Sequence, residues 1–201
     1  MNTTSRRKFL QTSAVGAAST FAAPAFLRGQ NLNEKVRVAI VGMGGRANAH
    51  AESLVDLEKE SIAGVELAGV CDCDEAKRRS AEEVWGERSG HKIETYDDMR
   101  RVLDDSSIDA VTFATPNHWH SLNVIWGCQA GKDVYVEKPG SHNIFEGRKM
   151  VEAARKYDRI VQHGTQCRSS HNIIEGIEKL HEGVIGDVYF ARGIAYKIRG
   201  N

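Results

Sequence analysis

Two short segments about a hundred residues apart carry the residue types that chemistry requires. Gly42-Met43-Gly44-Gly45-Arg46-Ala47 follows the apolar run Val36 to Val41, and Glu137-Lys138-Pro139 follows Asp133 to Val136. The first pattern reads as a dinucleotide cradle. Gly42 permits a tight turn, Gly44 lets the backbone approach a pyrophosphate, and small Ala47 allows close helix–strand packing. A phosphate would sit on the free N–H groups of the helix that opens from this turn, which brings Gly45 and Arg46 into the cofactor-binding set. The second segment puts an amine at the end of a later parallel strand. Ligands of open parallel sheets bind outside the carboxyl ends of the strands. Both segments should therefore face one crevice, with a cofactor at one side and Lys138 at the reacting end.

Other strand ends add to this set. Asp72 closes the second strand 30 residues after Gly42, further than the usual ~20, because Lys59 to Gly64 lengthens the first connection. A carboxylate there binds adenosine ribose hydroxyls and repels a 2′-phosphate, and Asp74 adds negative charge, so NAD is favoured over NADP. Thr115-Pro116-Asn117-His118-Trp119-His120 ends the fourth strand and starts a helix. Its hydroxyl, amide and imidazoles are candidates for the nicotinamide half, with helix capping or packing the competing role for His120. His118 and His120 are i,i+2 neighbours that do not share a helix face, so no metal site is expected. Pro139 biases Lys138 toward extended geometry. A partly desolvated lysine has a lowered pKa and can exchange a proton with a carbinol as hydride leaves. Glu137 would oppose that lowering if its carboxylate lay near the amine.

The elements that position these residues alternate with little slack. Strands are expected at Lys35–Val41, Val65–Cys71, Ile93–Tyr96, Ile108–Ala114, Asp133–Val136 and Ile160–His163. Helices are expected at Arg46–Glu58, Glu75–Trp85, after an Asp97-Asp98 cap, at Asn117–Ala130, and through Gly147, Met150, Val151, Ala154 and Tyr157. Six strands with intervening helices make an α/β fold, a doubly wound parallel sheet of the Rossmann type, over residues 34–163. Beyond it, Ile173, Ile174, Ile177 and Leu180 mark one amphipathic helix, and Val188 to about Tyr196 reads as a strand. A helix and one strand cannot bury a core of their own. Residues 164–201 therefore read as the opening of a second α/β domain whose body is missing.

Residues 1–30 read as an export signal: Ser5-Arg6-Arg7-Lys8-Phe9-Leu10, then an Ala-rich, mildly apolar stretch from Thr12 to Phe26, with Ala23-Pro24-Ala25 as a cleavage site. The paired arginines followed by Phe-Leu resemble a twin-arginine signal, which exports folded proteins. The export machinery is thus an expected partner and the periplasm the expected location, with membrane tethering the alternative if the signal stays uncleaved. The chain has 27 basic and 27 acidic side chains and a formal net charge of zero, which argues against a broad grip on nucleic acid or anionic lipid. Cys71, Cys73, Cys128 and Cys167 form no metal-type Cys-x-x-Cys pair and are expected as free, mostly buried thiols.

Taken in order, Gly42-x-Gly44-Gly45-Arg46, Ala114-Thr115-Pro116-Asn117-x-x-His120, Ala130-Gly131-Lys132, Glu137-Lys138-Pro139, Met150-Val151-Glu152-Ala153-Ala154 and Gly164-Thr165-Gln166-x-Arg168 resemble the glucose–fructose oxidoreductase / inositol dehydrogenase / MocA family, in its exported branch. The resemblance implies a tightly held nicotinamide cofactor, a sugar or polyol substrate, a homo-oligomer in the full-length family, and a frequently cis Lys-Pro bond. It matches Lys138 to the catalytic lysine, sets His120 near the nicotinamide, and brings Gln166 and Arg168 to the substrate side. The family's Asp and His proton-relay partners come from the second domain, beyond residue 201. An NAD-dependent glycoside hydrolase of the same superfamily, acting by transient oxidation and elimination, is the alternative activity. A truncated fragment that binds nucleotide without catalysis is the third reading.

Overall fold

The structure, a computed structural model, describes residues 35–60 and 64–194. The export signal lies outside the described residues, as do residues 61–63 of the extended first connection and the chain from 195 on. Six parallel strands form one sheet: β1 (Val36–Val41), β2 (Val65–Cys71), β3 (Glu94–Tyr96), β4 (Ala110–Phe113), β5 (Asp133–Glu137) and β6 (Val161–Gly164). Their spatial order is β3-β2-β1-β4-β5-β6. The chain winds outward from β1 in one direction and from β4 in the other, so a crevice opens where β1 and β4 lie side by side.

Strand periodicity divides the core. Ile40, Leu67 and Val70 pack on one face against Ala47, Ala51 and Val55 of α1 (Gly45–Lys59) and Ala81 and Trp85 of α2 (Glu75–Ser89). Their neighbours Ala39, Val41, Ala68 and Cys71, with Val111, Phe113, Val134 and Val136, pack on the other face. There they meet Val102 and Leu103 of α3 (Met99–Asp104), Val124 and Cys128 of α4 (Asn117–Gln129) and Met150 and Ala153 of α5 (Ile144–Lys156). Burial on both faces explains why β1 and β4 read as near-continuous apolar runs.

Local chemistry sets the helix ends. Asp74 and Asp98 accept the backbone N–H groups of Ala76 and Arg100 and so start α2 and α3. Asn143 caps α5 through the Glu146 N–H. Gly90, at φ 79°, ends α2 in the left-handed conformation that glycine adopts without a steric cost. Buried Lys132 donates to the carbonyls of Asp105 and Ile108, each at 2.7 Å, and ties the start of β5 to the α3–β4 connection.

After β6 a 3-10 turn (Gln166–Ser169) leads into α6 (His171–His181). Ile173, Ile174 and Ile177 of α6 are exposed. The strand expected from Val188 is not found: residues 188–194 have no strand structure. A strand exists only with a partner to exchange backbone hydrogen bonds, and the described residues offer this segment none. The thiols also differ from expectation, since Cys71 and Cys128 are buried but Cys73 and Cys167 are exposed.

Candidate active site

The glycine turn is built by steric necessity. Gly42 sits at φ +91°, and a Cβ there would lie 2.9 Å from the Thr115 backbone nitrogen. This close approach seats the end of β1 against the end of β4, where the Ala114 N–H donates to the Val41 carbonyl at 2.9 Å, while on the other side the Gly42 N–H donates to the Cys71 carbonyl of β2 at 2.8 Å. Gly44 and Gly45 differ, because a Cβ on either would meet nothing within 4 Å. Their bareness leaves backbone open to an approaching ligand. Gly44 caps α1 without a side-chain hydrogen bond, so the first N–H groups of α1 have no side-chain acceptor. Ala47 is fully buried against the sheet.

Asp72 stands where the sequence put it, half-buried at the end of β2. Its Oδ2 accepts the Met43 N–H at 2.8 Å and its Oδ1 the Asp74 N–H at 2.9 Å. Oδ1 also accepts from the Cys73 thiol at 3.7 Å, so the carboxylate is aimed and fixed beside the glycine turn with a lone pair of Oδ2 left for a hydroxyl. A cavity of about 610 Å³ opens here, bordered by Gly42, Asp72, Thr115, Pro116, Trp119 and Trp126. An open glycine turn, an uncapped helix start, a fixed carboxylate and an adjoining cavity together fit a dinucleotide. Pro116 and Asn117 are exposed at the start of α4, facing no competing contact that would spend them.

His120 is held by backbone on both sides. It is 1% exposed, its Nδ1 meets the Pro139 carbonyl at 2.6 Å and its Nε2 the Thr115 carbonyl at 2.8 Å. Both ring nitrogens are thus engaged by backbone carbonyls. The ring joins the loop after β4 to the loop after β5, the packing role weighed against catalysis from sequence.

Glu137, on the sequence pattern a further candidate for the cofactor-binding set with Lys138, is the centre of a polar cluster. Its side chain is buried and its Oε1 accepts from Arg46 Nε at 2.8 Å, from His50 Nε2 at 2.8 Å and from Gln166 Nε2, while Oε2 accepts the Lys138 N–H at 3.0 Å. Burial pushes this carboxyl up, but the Arg46 and His50 side chains and the Lys138 N–H outweigh it and hold the group at about 2. Glu137 thus joins α1, the 3-10 turn and the end of β5. Arg46 is half-exposed, with Nε committed to this pair. Burial and the Glu137 charge together push the neighbouring Tyr135 hydroxyl up.

Lys138 is exposed, and its peptide bond to Pro139 is cis. The desolvation expected from sequence is therefore not supplied by the described residues. Of the two residues expected on the substrate side, Gln166 joins the Glu137 cluster, whereas Arg168 is exposed on the same 3-10 turn and takes no part in it. His50 and Tyr135 went unnoticed in the sequence. Their signal was positional: His50 stands one helical turn after Arg46, and Tyr135 two residues before Glu137 on the same strand face, with the two rings edge-to-face at 5.2 Å. Among the described residues no three His, Cys, Asp or Glu side chains gather as metal ligands.

Fold and site together define a Rossmann-type dinucleotide-binding domain with a lysine at a neighbouring strand end. The chain belongs to the oxidoreductase family with an NAD-binding Rossmann fold, whose model matches residues 36–165. It is 31% identical over 162 residues to the scyllo-inositol 2-dehydrogenase (NAD(+)) of Bacillus subtilis, covering 81% of this chain and 45% of that protein. It is 28% identical over 167 residues to a glycosyl hydrolase family 109 protein of Saccharopolyspora erythraea, covering 80% and 35%. The crystal structure of myo-inositol 2-dehydrogenase from Lactobacillus plantarum superposes with a TM-score of 0.68 at 26% identity, over 77% of this chain and 43% of that one. The chain thus spans less than half the length of these relatives.

Proposed function

We propose that the protein is the nucleotide-binding part of an NAD-dependent oxidoreductase that transfers a hydride between a sugar or polyol and the cofactor. One observation carries this reading. The Glu137 carboxylate ties the first turn of α1, through Arg46 and His50, to the backbone of Lys138, so the phosphate-binding turn and the candidate proton-transfer group form one rigid unit. Gly42, Gly44, Gly45 and the α1 N–H groups would hold the pyrophosphate and Asp72 the adenosine ribose, while the loop 115–117 would run from the adenosine cavity, which Thr115 and Pro116 border, toward the nicotinamide side at Asn117. A bound nicotinamide supplies the hydride acceptor. Lys138 Nζ is exposed and within a substrate's reach, and it exchanges the substrate hydroxyl proton once bound substrate and cofactor desolvate the amine. Supporting the polyol assignment are the relatives named as inositol dehydrogenases.

Residues 164–201 are proposed as the beginning of a second α/β domain, supported by the exposed apolar side of α6. We also propose twin-arginine export to the periplasm, supported by Arg6-Arg7 with Phe9-Leu10. No helix among the described residues is long and apolar enough to cross a membrane.

The test is appearance of 340 nm absorbance with NAD and a panel of inositols and sugars. Turnover that disappears in Lys138→Ala, with NAD binding retained, supports the assignment; full turnover in Lys138→Ala refutes it. A second reading, glycosidic cleavage by transient oxidation, is favoured by the similarity to a family 109 glycosyl hydrolase. Cleavage of an aryl glycoside without net NADH release would select it.

A further inference from the structure

The cavity beside the glycine turn contains a polar group that the fold leaves unpaired. Asn123 lies on α4, is fully buried, and lines this cavity with Gly42, Asp72, Thr115 and Trp126. Its Nδ2 donates to Thr115 Oγ1 at 2.9 Å, which commits one end of the amide. Its Oδ1 is buried and has no hydrogen-bond partner among the described residues. Buried polar atoms are nearly always paired, and each exception calls for a cause. An acceptor held ready for a ligand donor is such a cause.

We propose that Asn123 selects the base of the bound dinucleotide, its Oδ1 accepting a hydrogen bond from the exocyclic amine of adenine. The inference rests on the reading of the crevice as a dinucleotide site and names what its adenosine end discriminates. Two features assign that end. Asp72, the ribose-side carboxylate, borders the cavity on the β2 side, and the indoles of Trp119 and Trp126 border it on the α4 side. Flat apolar rings suit a purine face. The remaining wall holds Asp97, Asp98, Met99 and Arg100, where Asp98 caps α3 and pairs with Arg100 and Asp97 pairs with Arg101.

Adenine presents an amine where hypoxanthine presents a carbonyl oxygen. That oxygen would face Asn123 Oδ1 acceptor to acceptor. A pocket that hydrogen-bonds a ligand N–H discriminates strongly against the analogue lacking it, because its own polar group is then left unpaired.

The experiment is calorimetric titration of the full chain with NAD and with nicotinamide hypoxanthine dinucleotide, for the native protein and for Asn123→Leu, a change close to isosteric. The native protein should bind NAD at least about tenfold more tightly than the hypoxanthine analogue. Asn123→Leu should bind the two within about twofold of each other, the loss falling on NAD. Equal affinity for both in the native protein overturns the inference and leaves the proposed function standing. So does an undiminished preference in Asn123→Leu. The native comparison needs no variant, so poor folding of Asn123→Leu does not rescue the idea. Binding of neither dinucleotide overturns the inference together with the nucleotide reading.

Discussion

Replacing Glu137 by glutamine should unmask how strongly the fold depends on one carboxylate. In the folded protein this group titrates at about 2, against an ordinary 4.5. At about 1.4 kcal/mol per unit, that difference stabilises the fold by roughly 3 kcal/mol at neutral pH. Arg46 is 48% exposed and can turn to water when its partner is lost, so the measured cost in Glu137→Gln should be about 2–3 kcal/mol. The pH dependence follows from the direction of the shift. A carboxyl depressed in the folded state stabilises above its unfolded value and loses that contribution as pH falls toward its folded value. The stability gap between native protein and Glu137→Gln should therefore narrow by roughly 2 kcal/mol between pH 6 and pH 3. Urea unfolding followed by tryptophan fluorescence at stepped pH measures it. A gap below about 0.5 kcal/mol at pH 7, or one that does not change on acidification, would refute the assignment of Glu137 as the centre of the cluster.

The glycines of the turn should separate into two classes. Gly42→Ala forces a Cβ to 2.9 Å from backbone at φ +91°, so it should cost about 2–3 kcal/mol of stability. Gly44→Ala meets no protein atom within 4 Å, so its melting temperature should stay near the native one while NAD affinity falls. Lys132→Met leaves the carbonyls of Asp105 and Ile108 without their donor and should cost about 1–3 kcal/mol in urea unfolding. Cys73 is exposed and borders the cavity beside Asp72, so saturating NAD should slow its labelling by a thiol reagent, read by peptide mass mapping, while exposed Cys167 reacts unchanged.

The strands were legible because a sheet buried on both faces needs unbroken apolar runs, and Val36–Val41 and Ala110–Phe113 supply them within a longer expected span. Helix starts were legible where the cap is local: Asp98 accepts from Arg100, two residues on. The Glu137 cluster was not legible because its partner Arg46 lies 91 residues away in sequence and meets it only once α1 packs beside β5. The partners of His120 were hidden for the same reason, since one of its two carbonyls belongs to Pro139 on another loop. Lys138 was correctly placed at a strand end, but burial of its amine is a tertiary property that adjacent Pro139 cannot encode. The apolar pattern after Val188 specified a strand without specifying a neighbour for it.

The most direct test of the nucleotide crevice is calorimetric titration of the chain with NAD and NADP, repeated in Asp72→Ala. The account predicts saturable one-to-one binding of NAD, weaker binding of NADP, and loss of at least about tenfold in NAD affinity in Asp72→Ala. Tighter binding of NADP, or NAD affinity indifferent to Asp72, would contradict it.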